Sequence, residues 1–214
     1  MRDEIFGTPF LGIYSIATES AVYLPSGFDK GHGGARFSDI LSAPAKFISI
    51  YGSPLIGMFG KANSNGLLIP SISEVPTGVE NVTEVTDKFT ALGNLILTND
   101  SGALISPEFS KRAESEIKTG LGVAEVVRGT IGGSGLVGGL GFATNSGALI
   151  SPRANEAELE LIKSVLKIQN CGIGSLNRGS DFVGVCAIGN SKGGLVGNIT
   201  TPIEITRLED VFNG

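Results

Sequence analysis

The sequence predicts an α/β fold built from five copies of one small module, and three observations support this prediction. A turn segment recurs five times, a glycine lies at a fixed distance before each copy, and amphipathic segments follow the clearest copies. In the clearest pair, Asn99-Asp-Ser-Gly-Ala-Leu-Ile-Ser-Pro107 nearly recurs as Asn145-Ser-Gly-Ala-Leu-Ile-Ser-Pro152. Repetition with a period of roughly 20–50 residues is typical of proteins assembled from small structural units.

The turn segment has three looser copies, which begin at Thr18, Asn63 and Asn190. Successive turn positions lie 46, 36, 45 and 46 residues apart, at Ser20, Gly66, Gly102, Gly147 and Gly193. A glycine also lies six residues before the start of each copy, at Gly12, Gly57, Gly93, Gly139 and Gly184. We therefore expect residues 1–214 to form a single domain of five modules that begin near these glycines.

Each module is predicted to contain a strand, a second strand, a helix and a third strand. Two apolar runs such as Leu95–Leu97 and Ala103–Ile105 flank an Asn/Gly turn, which is typical of a β-hairpin. The helical spacing of apolar residues in the next segment predicts helices over 107–119 and 153–167. The second module is shorter, so we expect a turn or no helix near Ile72–Thr77.

The repeated glycine suggests that the modules close into a ring. If five modules surround one axis, their equivalent strands converge there, and a residue without Cβ lets the backbones approach closely. The alternative is an open solenoid, which needs polar terminal repeats that this sequence does not show. We therefore expect a five-fold pseudo-symmetric ring, with residues Glu4–Phe6 and Thr206–Phe212 joined across its seam.

Charge narrows the classes of partner. The net charge is −5 and the pI is about 5.0, and the densest basic pair, Lys111-Arg112, is followed by Glu114 and Glu116. Proteins that bind nucleic acid mainly through its phosphates need a basic patch. We therefore expect no direct DNA binding, and an acidic surface suits a basic protein partner better.

The expected location is the cytoplasm, without a membrane segment. Residues 129–152 are uncharged and long enough to cross a bilayer, but the turn sequence at Asn145–Gly147 would break such a helix. The N-terminal sequence lacks the basic start and apolar run of a signal peptide. Cys171 and Cys186 are the only cysteines, too few for a disulfide framework or a metal cluster.

No catalytic set is evident in the sequence. Residues 133–138 match G-x-G-x-x-G but are followed by a repeat strand rather than by the helix that a dinucleotide site needs. His32, the only histidine, fits either a general base or a solvated loop residue. Cys171 and Cys186 lie in apolar runs, as buried cysteines do. We expect no cofactor and no metal.

Two polar segments interrupt the repeat beside predicted strand ends, namely Ala91-Leu-Gly-Asn94 and Asn177-Arg-Gly-Ser180. Local turn chemistry explains both segments. The other interpretation is a recognition surface on the face of the ring where the glycine ends of the modules gather.

Taken together, the five modules, these two segments, Gly66-Leu-Leu-Ile-Pro70 and Glu209-Asp-Val-Phe212 resemble the translation initiation factor 6 family in its short archaeal form. The resemblance covers nearly the whole chain and fits least well over Asp29–Lys46. It implies a five-bladed α/β propeller of the pentein type. It also implies a monomeric protein that binds the large (50S) ribosomal subunit, mainly through a ribosomal protein near the sarcin–ricin loop.

Bound there, a member of this family would block association with the small (30S) subunit sterically, without catalysis, and would act in large-subunit biogenesis. By matching position, the resemblance makes Asn94 the first candidate contact, followed by Asn177, Arg178 and Ser180. Arg178 has an alternative role, in which its side chain stabilises carbonyl groups between modules.

The alternative function is enzymatic, because the same ring architecture also hosts guanidine-modifying deiminases and amidinotransferases, and a fold alone does not fix function. Those enzymes resemble one another in a Cys/His pair with carboxylates at the centre of the ring. This alternative requires His32 to lie close to a cysteine sulfur.

Overall fold

The β structure of this computed structural model, which describes residues 1–29 and 31–213, consists of five small sheets of three strands each. In each sheet the central strand pairs antiparallel with one neighbour and parallel with the other. The strands are β1 (Arg2–Asp3), β2 (Ile16–Ala17), β3 (Val22–Pro25), β4 (Ala45–Ile48), β5 (Lys61–Ala62), β6 (Leu67–Pro70), β7 (Val82–Val85), β8 (Ile96–Thr98), β9 (Gly102–Ile105), β10 (Glu125–Arg128), β11 (Gly141–Ala143), β12 (Gly147–Ile150), β13 (Asn170–Ile173), β14 (Ala187–Asn190) and β15 (Gly193–Gly197).

Four of the sheets are continuous in sequence, and the fifth closes the seam. It combines β14 and β15 with β1, which pairs parallel with β15 so that Arg2 faces Val196 and Asp3 faces Gly197. The predicted junction between Glu4–Phe6 and Thr206–Phe212 is therefore wrong. Strand β1 covers the free edge of β15. Thr206–Phe212 is helical, and its apolar side chains pack beneath the sheet of the fourth module.

Helices of two kinds separate the strands in the described residues. Five have a single turn and precede the first strand of each module, whereas four are longer and follow the second strand. They are α1 (Leu11–Tyr14), α2 (His32–Leu41), α3 (Ile56–Phe59), α4 (Leu92–Leu95), α5 (Lys111–Leu121), α6 (Val137–Leu140), α7 (Glu156–Leu166), α8 (Val183–Cys186) and α9 (Pro202–Asn213).

The one-turn helices, rather than strands as predicted, converge on the axis. Each contacts the next, and the fifth contacts the first, so the contacts form a closed cycle. In each helix one glycine lies so close to a glycine carbonyl of the preceding module that a Cβ atom would overlap it. These glycines are Gly12, Gly57, Gly93, Gly138 and Gly184.

The fourth member of this cycle is Gly138, and the predicted Gly139 is wrong. A Cβ atom on Gly138 would collide with the carbonyl oxygens of Gly93 and Ile96, whereas one on Gly139 would only touch its neighbours. The hairpin of the fourth module begins at Thr144, whose N–H donates to Gly147. The prediction counted six residues back from Asn145 and so reached Gly139. Counting six residues back from Thr144 gives Gly138.

Helices α5 and α7 confirm the two predicted helices with later starts. The Ser110 side chain accepts a hydrogen bond from the N–H of Ala113, and Asn155 and Glu158 form a reciprocal capping box, so the helices begin after these residues. No helix lies between β6 and β7 in the second module, as expected from its length.

The core consists of five apolar clusters between neighbouring sheets and helices, and one of them joins Leu68 and Val85 of the second module to Ile117 of the third. Within the described residues no helix is long and apolar enough to cross a membrane. The uncharged segment 129–152 forms α6, β11 and β12, so the rejection of a membrane helix there is confirmed.

Candidate protein-binding face

The residue immediately before each one-turn helix is apolar and at least partly exposed. All five adopt nearly the same backbone conformation, with φ between −98° and −80° and ψ between 47° and 66°. This conformation turns the chain from the preceding loop into the helix and leaves the side chain outside the packed helix. The residues are Phe10, Leu55, Ala91, Leu136 and Phe182.

Three of these side chains are large and clearly exposed. Phe10 and Leu136 are each 39% exposed, and Phe182 is 36% exposed. A large apolar side chain in water is unfavourable by roughly 1.5–3 kcal/mol relative to full burial. Single exposed apolar residues are common on protein surfaces. Here the exposed residues hold equivalent positions on helices that contact one another in a cycle, so we treat them as one surface feature.

The third residue of each one-turn helix adds a second set, which consists of Ile13, Met58, Asn94, Gly139 and Val185. A Cβ atom on Gly139 would lie 3.4 Å from Phe182 Cδ1, 3.6 Å from Asn94 Oδ1 and 3.9 Å from Val185 Cγ2. The two sets therefore meet at Gly139, and we call all ten residues together the axial face.

Asn94 is the one polar side chain of the axial face. It is half-buried, and its side-chain amide has no hydrogen-bond partner among the described residues. It also lines a small central cavity. An amide in this position can donate and accept hydrogen bonds with a partner that covers the surrounding apolar side chains.

The Asn177–Ser180 turn follows β13 and leads into α8. Its first three residues have left-handed backbone conformations, with φ of 51°, 63° and 94°. Asn177 is buried, and its Nδ2 donates to the Pro9 carbonyl at 2.8 Å while its Oδ1 accepts from Thr200 Oγ1 at 2.8 Å. The Asn177 amide therefore joins this turn to the segment that enters α1.

Glu204 of α9 holds the same turn from the other side. Its carboxylate accepts hydrogen bonds from the N–H groups of Arg178 and Gly179 at 3.2 and 2.8 Å. Burial opposes ionisation of Glu204, but hydrogen bonds from Thr201, Gly179 and Ser175 outweigh it and lower the pKa of this carboxyl group. The fold therefore rigidly fixes the turn beside Phe182.

Arg178 and Ser180 have different surroundings. Arg178 is exposed, and its guanidinium makes no hydrogen bond or ion pair with a described residue, so the alternative role between modules is wrong for this side chain. Asn177 supplies that contact instead. Ser180 Oγ accepts from the N–H of Phe182 at 3.3 Å and thereby orients the start of α8.

The family resemblance proposed Asn94 as a contact, but the sequence analysis missed the exposed apolar residues on the same face. The signal is present, because an apolar residue stands two positions before each glycine of the cycle. In the fourth module this spacing must be counted from Gly138, which gives Leu136, because counting from Gly139 would give the fully buried Val137.

The structure does not bring together the groups that a guanidine-modifying enzyme would need. His32 is exposed at the start of α2 and lines a groove with Asp3, Asp29 and Arg36, and neither cysteine lines this groove. Cys186 is buried in α8, a helix and not the predicted strand, and burial raises the pKa of its thiol. Burial raises the pKa of Cys171 to about 11. The described residues contain no group of three metal-ligating side chains.

Comparison with known proteins gives matches along nearly the whole chain. The model of the eIF-6 family matches residues 1–211. Translation initiation factor 6 of Thermoplasma acidophilum is 39% identical over 99% of this chain and 99% of its own length. The proteins of the same name from Methanocaldococcus jannaschii and Pyrococcus horikoshii are 39% and 36% identical, each over 99% of this chain and 97% of its own length. The chain belongs to the eIF-6 family.

Proposed function

We propose that this protein is a translation initiation factor that binds the large ribosomal subunit and sterically prevents its association with the small subunit. The relatives named translation initiation factor 6 support the assignment to translation. The observation that carries the proposal is the axial face, an apolar surface around the polar side chain of Asn94. A steric blocker needs a binding surface and bulk, and it needs no catalytic group.

The composition of the axial face suits a protein partner. Buried aromatic side chains at the centre of an interface contribute most of the binding energy, and a polar rim gives orientation. Phe10, Leu136 and Phe182 are the proposed apolar anchors, and Asn94 is the proposed central polar contact. Arg178, together with its neighbours Asn177 and Ser180, is the proposed contact at the edge.

The proposed partner is a basic ribosomal protein near the sarcin–ricin loop. The net charge of −5 favours encounter with a basic surface and disfavours direct binding to ribosomal RNA phosphates. This role requires a cytoplasmic location, and a monomer leaves the axial face free. A function in large-subunit biogenesis is compatible with the same contact.

We also propose the pentein-type propeller as the architecture. The five three-stranded sheets, the closed cycle of helix contacts and the glycines within that cycle support this arrangement. It would gather two residues from each module at one end of the axis and so bring five separate segments into one surface.

Sedimentation of purified protein with large subunits through sucrose tests the proposal. Leu136→Asp places a carboxylate in the axial face, and Asn94→Asp places one at its centre. A buried unpaired charge costs several kcal/mol, and every ~1.4 kcal/mol is tenfold in affinity. We expect both variants to bind about tenfold more weakly or worse, with a corresponding loss of inhibition of subunit joining.

The matched control is Lys118→Gln, which lowers the net charge by the same amount on the exposed side of α5. It should bind like the unchanged protein. All three variants should keep the thermal transition of the unchanged protein, because surface substitutions change stability by only about 0.5 kcal/mol. Failure of the unchanged protein to sediment with large subunits would sink the proposal, and so would full binding by Leu136→Asp.

A further inference from the structure

Lys61 occupies a position that the other modules fill with apolar side chains. It lies in the first strand of the second module, two residues before the residue that begins the hairpin turn. The equivalent residues are Ile16, Leu97, Phe142 and Ile188. Because four modules fold with an apolar residue here, the fold itself does not require an ammonium group at this position.

The position adjoins a cavity at the centre of the molecule. The cavity has a volume of about 60 Å³ and is lined by residues from all five modules, mainly glycines, alanines and the first strands. This volume holds roughly four water molecules, or one small anion with water. Lys61 is the only charged side chain among the lining residues, all of which are described by the structure.

The ammonium group of Lys61 has no counter-charge among the described residues. It makes no ion pair and no hydrogen bond with a described residue. The adjoining constriction between the hairpin turns is lined by two acidic residues, and both are already engaged. Glu19 accepts from the N–H and Oγ of Ser191, and Asp100 accepts from Ser64 and Asn145.

Burial lowers the pKa of Lys61 to about 8, which still leaves the amine largely protonated at pH 7. A buried charge without a partner is unfavourable, and proteins relieve it by pairing or by losing the proton. At neutral pH Lys61 therefore adds one positive charge to the lining of the cavity, and no acidic side chain of the described residues pairs with it.

We propose that the central cavity binds one small monovalent inorganic anion, such as chloride, beside Lys61. The hydroxyl groups at the cavity are already donors elsewhere, because Ser15 donates to Leu11 and Thr98 donates to Gly102. With the ammonium group as the principal donor, the site suits a weakly hydrated single charge and not a phosphate dianion. Asn94 and Val185 of the axial face also line this cavity, but the proposed anion contact is with Lys61 and does not require subunit binding.

Urea unfolding of the full chain tests the proposal at pH 7, with sodium gluconate replaced stepwise by sodium chloride at constant ionic strength. Gluconate is too large for the cavity. An anion bound only by the folded protein raises the ratio of folded to unfolded protein about tenfold for each tenfold increase in chloride above its dissociation constant. We expect this response in the unchanged protein and its absence in Lys61→Met.

Lys118→Met, which removes an exposed ammonium group, is the matched control and should keep the response. The response should also shrink at pH 10, where Lys61 has lost its proton. An unchanged protein that ignores chloride overturns the proposal and indicates that water alone solvates Lys61. An equal response in Lys61→Met overturns it as well.

Crystals grown with bromide in place of chloride provide a test that does not depend on a variant folding. We expect an anomalous scattering peak in the central cavity beside Lys61 Nζ. A cavity without such a peak, in crystals that diffract well enough to show its waters, overturns the proposal.

Discussion

Gly138 and Gly139 are adjacent and chemically identical, yet the structure gives them opposite tolerance for a side chain. A Cβ atom on Gly138 would overlap two backbone carbonyl oxygens, which cannot move aside as a flexible side chain can. A Cβ atom on Gly139 would make ordinary contacts with Phe182 and Asn94.

We therefore expect Gly138→Ala to lower the free energy of unfolding by roughly 3 kcal/mol or more, because overpacking against backbone forces the helices apart. Gly139→Ala is the matched control and should be neutral or stabilising by up to ~1 kcal/mol, since alanine favours the helix. Urea unfolding of both variants checks this. Equal losses in the two variants would mean that the close approach of the helices is not centred on Gly138.

At this scale the sequence predicted part of the candidate site. Asn94 was recognisable because it is polar beside a glycine of the repeat. Phe182 and Leu136 were not, because exposure depends on how five one-turn helices meet, and no local pattern records that. The burial of Asn177 was equally hidden, because its partner at Pro9 lies far away in sequence.

Glu158 and Glu204 show how one element fixes another. Each lies in the first turn of a longer helix and accepts backbone N–H groups from the turn at the end of the preceding module. Glu158 accepts from Gly132, Gly133 and Asn155, and from the hydroxyl of Thr130. Burial opposes its ionisation, but these hydrogen bonds outweigh burial and lower the pKa of Glu158.

This pKa gives a pH-dependent prediction. Because the pKa of Glu158 is lower in the folded state than the ordinary 4.5, its ionised form favours folding above pH 4.5, and this stabilisation is lost as the pH falls through the folded pKa. Hydrogen bonds to a charged group contribute roughly 1.5–3 kcal/mol. We expect Glu158→Gln to lower the free energy of unfolding by about that amount at pH 7.

The stability difference between Glu158→Gln and the unchanged protein should narrow as unfolding is followed from pH 7 to pH 3. Glu160→Gln provides the control on the same helix, because the Glu160 side chain is 71% exposed and forms a surface ion pair with Lys163. It should cost less than ~1 kcal/mol at every pH. If the difference in free energy of unfolding between Glu158→Gln and the unchanged protein stays constant with pH, the charge of Glu158 does not stabilise the turn.

Elements with caps and a full amphipathic turn were predictable, as α5 and α7 show. The one-turn helices were not, because four residues are too few to display helical periodicity. Their apolar residues read equally well as the beginning of a strand, and the strand does follow within one or two residues. The extra turn separates the glycines from the sheets and places them at the axis.

For the whole molecule, β1 determines whether the fifth sheet is complete. In β1, Asp3 pairs with Gly197 of β15, and its carboxylate forms an ion pair with Arg36 of α2. The N–H of Val196 donates a hydrogen bond to the Met1 carbonyl. Removing residues 1–4 deletes these contacts and uncovers an edge of β15.

We expect the truncated protein to lose roughly 3 kcal/mol of stability, from several hydrogen bonds of about 1 kcal/mol each, and to self-associate through the open edge. Urea unfolding and size-exclusion chromatography measure the two effects. Arg2→Ala keeps the backbone pairing and should behave like the unchanged protein. A truncated protein as stable as the unchanged one would show that β1 contributes nothing to closure.

The five-fold organisation was predictable because each module carries its own turn and glycine. The seam was not, because β1 is two residues long and has no pattern of its own. β1 pairs with β15 because β15 has a free edge that the chain following it does not cover. That free edge exists only in the complete fold.

The pairing of β1 with β15 also bears on synthesis. A ribosome makes β1 almost two hundred residues before β15, so the fifth module is still incomplete when the other four have emerged. Contacts between residues so distant in sequence form slowly, because the intervening chain must be ordered first. Closure is therefore a late event, and until it occurs the nascent chain exposes an unpaired strand that chaperones can bind.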